Sequence, residues 1–141
     1  MYKKIGLFLL VVCVLFSVFA VSAQDKPYEG QTIRVVLSNH AWTDAVAPMI
    51  PEFEELTGIK VEWESYGEEQ LNQKLTTEFI AGNAGMDVFM TRPLQEGANM
   101  EMNGWYQDLN EYAADDADFD LNDFTEASRG ATTFNGTLTA I

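Results

Sequence analysis

Thr32-Ile33-Arg34-Val35-Val36-Leu37-Ser38 is short, β-branched and mostly apolar, which reads as a strand buried within a sheet. Asn39 to Thr43 is a polar break after it. Asp44 is placed to cap a helix, and apolar residues then fall at Val46, Met49, Ile50, Phe53 and Leu56, a helical spacing. Pro48 and Pro51 disturb the first turns of that stripe. Gly58 follows it where a left-handed helix terminator is expected.

The pattern then repeats downstream. Ile59-Lys60-Val61-Glu62-Trp63-Glu64-Ser65-Tyr66 alternates with period two, the pattern of a strand with one wetter face; Trp63 is read as a core residue on the other. Glu68 to Ile80 carries Leu71, Leu75, Phe79 and Ile80 at helical spacing, and Gly82-Asn83-Ala84-Gly85 ends it. Asp87-Val88-Phe89-Met90-Thr91 is a third strand, with Asp87 read as a structural hydrogen-bonding residue. Pro93 then opens a third helix at a position proline tolerates, with Leu94, Ala98 and Met102 on its inner face and Gly104 as its stop. The order β-α-β-α-β-α predicts an α/β fold, a parallel sheet with right-handed crossovers and helices on both faces.

Beyond Gly104 the character changes. Trp105-Tyr106-Gln107-Asp108-Leu109 is aromatic and irregular, and Asp115 to Glu126 is acidic. Asn135-Gly136 marks a two-residue hairpin turn. The 141 residues end at Ile141 inside an apolar hairpin strand, which predicts a truncated sequence. Upstream, Lys3 and Lys4 precede an uncharged, mostly apolar run from Ile5 to Val21, followed by Val21-Ser22-Ala23. That is the layout of a secretory signal peptide over residues 1–23, cleaved after Ala23, with an uncleaved anchor helix as the competing reading. Residues 24–141 are then the N-terminal part of a truncated domain working outside the cytoplasmic membrane, periplasmic or extracellular.

Composition excludes several functions. Eight basic residues stand against 22 acidic ones, for a net charge of −14, and 47% of the chain is hydrophobic. A polyanionic surface repels phosphate backbones, so nucleic acid is not an expected partner. The single cysteine, Cys13, lies in the leader, leaving no thiol nucleophile, thiolate metal site or disulfide beyond it. Asp116-x-Asp118-x-Asp120 begins like a calcium loop but has Leu121 at the sixth position and Ala127 at the twelfth, where glycine and glutamate are needed. No metal and no cofactor are expected. His40 is the only histidine and has no serine or cysteine partner placed beside it for catalysis.

Three phrases resemble the extracellular solute-binding protein family 1, the carbohydrate-type receptors of ATP-driven (ABC) importers. They are Ile33 to Leu37 with Asn39-His40-Ala41-Trp42; Ile50-Pro51-Glu52-Phe53-Glu54-Glu55-Leu56-Thr57-Gly58-Ile59-Lys60-Val61; and Gly85-Met86-Asp87-Val88-Phe89 with Asn103-Gly104-Trp105-Tyr106-Gln107-Asp108-Leu109. Phe134-Asn135-Gly136-Thr137-Leu138 is similar to the segment before the family's first crossing between lobes. The resemblance implies a periplasmic-binding-protein-like type II lobe, with the second lobe absent from these residues. It also implies a non-enzymatic receptor, monomeric when full length, that closes by hinge motion on a small solute, a sugar or oligosaccharide, and presents it to ABC permease subunits. A secreted hydrolase on a similar scaffold and a sensory binding module are the competing readings.

Ligands of open α/β sheets sit outside the carboxyl ends of the strands, here Asn39 to Trp42, Tyr66 to Glu69 and Thr91 to Pro93. Sugars need planar hydrogen-bonding groups for hydroxyls and flat aromatic surface for C–H faces. The expected contacts are Asn39, His40, Gln70 and Arg92 for hydroxyls, with Trp42 and Tyr66 for stacking. An ion pair with a nearby acid is the competing role for Arg92.

Overall fold

The computed structural model describes residues 26, 28–82, 85–116 and 118–141. The expected signal peptide, Cys13 and part of the Gly82–Gly85 break lie outside the described residues. Strand β1 (Thr32–Ser38) is the centre of a three-stranded parallel sheet of order β2-β1-β3, with β2 at Lys60–Tyr66 and β3 at Val88–Phe89. β2 pairs with β1 along its whole length, from Thr32 opposite Lys60 to Ser38 opposite Tyr66. β3 is shorter than the expected Asp87–Thr91, pairing at Val35–Val88 and Val36–Phe89. Hydrogen bonds from Asp87 N to Arg34 O and from Met90 N to Val36 O continue its alignment on both sides.

The connection from β1 to β2 holds helix α1 (Ala41–Val46), a 3₁₀ turn at Ala47–Met49, and helix α2 (Ile50–Thr57). The break falls where Pro48 and Pro51 interrupt amide donation. Gly58 ends α2 at φ +80, and its N–H donates to Glu54 O. That left-handed conformation suits a residue without a Cβ. Any Cβ there would also stand 2.8 Å from Glu29 Cα. Glu54 then accepts at 2.7 Å from Val61 N, so the helix satisfies a donor of the neighbouring strand.

Helix α3 (Glu68–Ile80) leads from β2 to β3 past β1. Two right-handed crossovers running in opposite directions place α2 and α3 on opposite faces of the sheet. The α3 face holds the best-packed core, Val36, Leu71, Leu75 and Met100, against which Tyr66, Phe79, Phe89, Trp105 and Tyr106 pack. Phe79 meets Phe89 edge-on at 5.1 Å and stacks on Trp105 at 5.3 Å. Ile80, expected inward, is exposed; it lies next to the helix end, past the turn that reaches the sheet. The α2 face is thinner. Phe53, Leu56, Val88 and Trp63 all stay exposed there, so Trp63 does not join the buried core that the alternation predicted.

The third helix differs most from expectation. Pro93–Gly97 forms a π-helical turn and only Ala98–Met102 (α4) is α-helical. The wide turn shifts the helical phase, so Leu94 and Met102 point to solvent while Gly97 and Met100 are buried. The remaining chain forms α5 (Asn110–Asp115), a 3₁₀ turn at Leu121–Asp123, α6 (Glu126–Thr132) and a hairpin of β4 (Thr133–Phe134) and β5 (Thr137–Leu138). Asn135 and Gly136 have φ of 51 and 88, the mirror-image turn that an Asn-Gly pair adopts. Helix α6 was not expected in this acidic stretch; Thr125 caps it by accepting from Ser128 N. Asp116 and Asp120 accept from the amides of Asp118 and Asn122, two residues on.

Candidate functional site

The carboxyl ends of β1 and β3 open into a cleft of about 610 Å³. Leu37 and Ser38 line it from β1, and Phe89, Met90 and Thr91 from the end of β3. His40 and Trp42 line it after β1, and Glu68, Leu71 and Asn72 line it from α3. Arg92, Pro93 and Glu96 bound it beyond β3, and Thr132, Ala140 and Ile141 complete it. Its volume is that of a small-molecule site.

Local chemistry fixes each wall. Asn39 N donates to Tyr66 O at 2.7 Å and Thr43 Oγ1 donates to Ser38 O at 2.7 Å, holding the chain as it leaves β1. His40 is the helix cap in place of the expected Asp44: its Nδ1 accepts from Trp42 N at 3.1 Å. A side-chain acceptor at this position satisfies a free amide of the first turn. The same bond fixes the backbone at Trp42, a residue about half exposed where it lines the cleft.

On the opposite side Glu96 organises the structure. Its Oε1 accepts from Arg92 N at 3.1 Å and from Thr91 Oγ1 at 3.5 Å. Its Oε2 accepts from Arg92 Nη2 at 3.1 Å and closely from Asn72 Nδ2. Glu68 Oε2 lies 3.4 Å from Arg92 Nη1. The Arg92 guanidinium is thus held between two carboxylates; the hydrogen bond to Glu96, aided by the charges of Glu96 and Glu68, raises its pKa above an already high ordinary value. Thr91 Oγ1 also lies 2.7 Å from the Tyr106 hydroxyl, whose ionisation burial pushes upward.

Of the six residues expected to contact ligand, the cleft brings together His40, Trp42 and Arg92. Asn39, Tyr66 and Gln70 lie outside its lining. Asn39 is exposed, with its amide committed to Tyr66 O. Tyr66 points along the α3 face, where its hydroxyl donates to Glu64 Oε2 at 2.7 Å and Lys74 Nζ sits 5.6 Å from its ring centre. Gln70 is exposed one turn into α3. Reasoning from strand ends passed over Asn72 and Glu96, and it placed Glu68 within the second strand-end stretch without choosing it as a contact. Their signal is helical spacing: Asn72 is four residues from Glu68, and Glu96 four from Arg92. Asp87, expected to hold structure, accepts from Arg34 N at 2.8 Å through Oδ2.

A parallel α/β unit with a ligand-sized cleft at its strand ends is the lobe of a periplasmic-binding-protein-like fold. The description "Bacterial extracellular solute-binding protein" matches residues 40–139, and the chain belongs to that family. It is 33% identical over 110 residues to the Erythritol/L-threitol-binding protein of Mycolicibacterium smegmatis, covering 73% of this chain and 22% of that one. It is 36% identical over 74 residues to a "probable amino-acid ABC transporter periplasmic-binding protein" of Sinorhizobium fredii, covering 52% of this chain and 17% of that one. An ABC transporter solute-binding protein from Agrobacterium radiobacter, solved in complex with ribitol, superposes with a TM-score of 0.73 at 24% identity, over 80% of this chain and 29% of that one. The chain therefore spans about a quarter or less of the length of the curated relatives it matches.

Proposed function

We propose that these residues form the first-lobe half of an extracytoplasmic receptor that captures a small polyhydroxylated solute, a sugar or alditol, for an ABC importer. The observation that carries the reading is the cleft at the ends of β1 and β3, lined by Trp42 together with the polar residues Glu68, Thr91 and Arg92. A flat aromatic surface and hydrogen-bonding groups in one cleft fit a molecule with C–H faces and hydroxyl edges. Family membership and the relative whose name gives erythritol and L-threitol support the same class.

In this reading the protein performs no chemistry. The sole histidine uses Nδ1 to cap α1, and the cleft carboxylates Glu68 and Glu96 are both bonded to Arg92. Transport follows from binding: the solute bridges this lobe to a facing one, closure traps it, and the closed form docks on the membrane permease. The partners are the solute and the permease subunits, in the periplasm or at the outer cell surface.

Calorimetric titration of the full-length gene product with alditols, monosaccharides, oligosaccharides and amino acids tests this. Micromolar or tighter binding of a sugar or alditol, with loss of its uptake when the gene is deleted, is the expected result. Binding of an amino acid alone, or turnover of a glycoside by the purified protein, overturns it.

A further inference from the structure

The hydrogen-bonding inventory of the cleft is lopsided. Its strongest donor, the Arg92 guanidinium, has one terminal nitrogen turned to Glu68 Oε2 at 3.4 Å and the other to Glu96 Oε2 at 3.1 Å. Each terminal nitrogen thus has one of its two N–H groups directed at a carboxylate of the protein, and a ligand carboxylate must share the guanidinium with Glu68 and Glu96. The Asn72 amide and the Arg92 backbone N–H are likewise directed at Glu96. Glu96 itself is sequestered, with a side chain only 12% exposed. Glu68 differs. Its side chain is 61% exposed at the cleft wall, and among the described residues its carboxylate accepts one bond, from Arg92. An ionised carboxylate accepts and never donates.

The cleft therefore offers open acceptor capacity at Glu68 and a cationic donor already shared between two carboxylates, with the Ser38 hydroxyl, unpartnered among the described residues, neutral and able both to donate and to accept, beside them. Its charged lining residues are Glu68, Arg92 and Glu96, leaving one net negative charge. The chain around them carries −14, and a net negative field disfavours anionic ligands.

We propose that Glu68 is a ligand-binding, specificity-determining residue that accepts hydrogen bonds from solute hydroxyls, and that this wall selects neutral polyols over their carboxylate-bearing counterparts. This rests on the polyhydroxyl-solute reading above and narrows it. Hydroxyls donate to Glu68 as they pass across the Trp42 ring. An aldonate, uronate or amino-acid carboxylate brings another anion to a wall with net negative charge, and competes with Glu68 and Glu96 for Arg92.

The test is calorimetry on the full-length gene product at low and high salt, with matched pairs: erythritol against erythronate, ribitol against ribonate, glucose against glucuronate. The expected result is that the acid of the pair with the tighter-binding neutral member binds at least about tenfold more weakly, about 1.4 kcal/mol. Glu68→Gln, at an exposed position that should tolerate the change, is expected to weaken the neutral ligand severalfold and narrow its advantage over the acid. An acid that equals or exceeds its neutral partner overturns the selection while leaving the polyhydroxyl reading intact. A Glu68→Gln protein with unchanged affinities and an unchanged ratio overturns the role of Glu68. Silence toward every compound of both series removes the polyhydroxyl reading and this inference with it.

Discussion

Phe134 occupies the space that a side chain at Gly97 would need: a Cβ at residue 97 would stand 2.5 Å from the Phe134 ring tip. The contact joins the π-helical turn carrying Glu96 to the hairpin strand β4. Glycine is required here for close approach rather than for an unusual backbone angle. Gly97→Ala is expected to lower stability by about 1–2 kcal/mol through overpacking, read as a lower urea midpoint for the full-length gene product. Shortening the ring with Phe134→Leu in the same chain should recover part of the loss. If Gly97→Ala alone is neutral, the contact is softer than the geometry states.

Glu96 is a structural carboxylate as well as a cleft residue. It accepts from Asn72, Thr91 and both the backbone and guanidinium of Arg92. Removing an acceptor from half-buried donors costs their desolvation in addition to the lost bonds, about 1–3 kcal/mol. Glu96→Ala should therefore destabilise by about 2 kcal/mol. Glu68→Ala, on the exposed side of the same guanidinium, should cost well under 1 kcal/mol. Equal urea midpoints for the two variants would contradict this ranking.

The sheet was legible because period-two and helical spacing alternate cleanly between Thr32 and Ile80, and because β-branched Val35 and Val36 mark the buried central strand. The Asn135-Gly136 turn was legible from a local backbone requirement. The third helix was not. Nothing in Pro93-Leu94-Gln95-Glu96-Gly97 signals an extra residue per turn, and that one residue moves Leu94 and Met102 outward and Met100 inward. The site was half legible for a related reason. The strand-end rule locates His40, Trp42 and Arg92, but it says nothing of how a strand's last side chain points. Tyr66 therefore faces Lys74 beside α3 instead of the cleft, and the helix-borne partners Asn72 and Glu96 emerge only once α3 and the π-helical turn are packed together.

The Glu64–Lys74–Glu78 cluster predicts a pH window. Lys74 Nζ lies 3.2 Å from Glu64 and 2.7 Å from Glu78. The hydrogen bond from Tyr66, followed by Lys74, holds Glu64 below its ordinary 4.5, and the bond from Lys74 does the same for Glu78. The bond to Glu78 raises Lys74 above 10.5. The carboxylates contribute stability above 4.5 that is lost as pH falls through their lowered values. Lys74 contributes below 10.5 and loses that contribution as pH rises through its raised one. Wild type should exceed Lys74→Met by about 0.5–1 kcal/mol between those limits, and the gap should close in acid. A difference independent of pH would assign the lysine's contribution to its packing on Tyr66.

Trp42 provides the direct spectroscopic reading of ligand entry. The residue is 51% exposed, its backbone amide is held by the His40 cap, and it lines the cleft, whereas Trp105 is stacked on Phe79 within the core and Trp63 lies on the opposite sheet face. A polyol covering the indole should shift emission to shorter wavelength. Trp42→Phe should abolish most of that shift while retaining part of the affinity, since a flat ring remains. Trp42→Ala should weaken binding about tenfold or more, and the exposed position predicts a stability change within about 0.5 kcal/mol. His40→Ala should weaken binding less, by loosening the first turn of α1. A ligand-dependent shift that survives intact in Trp42→Phe would place the bound solute away from this wall.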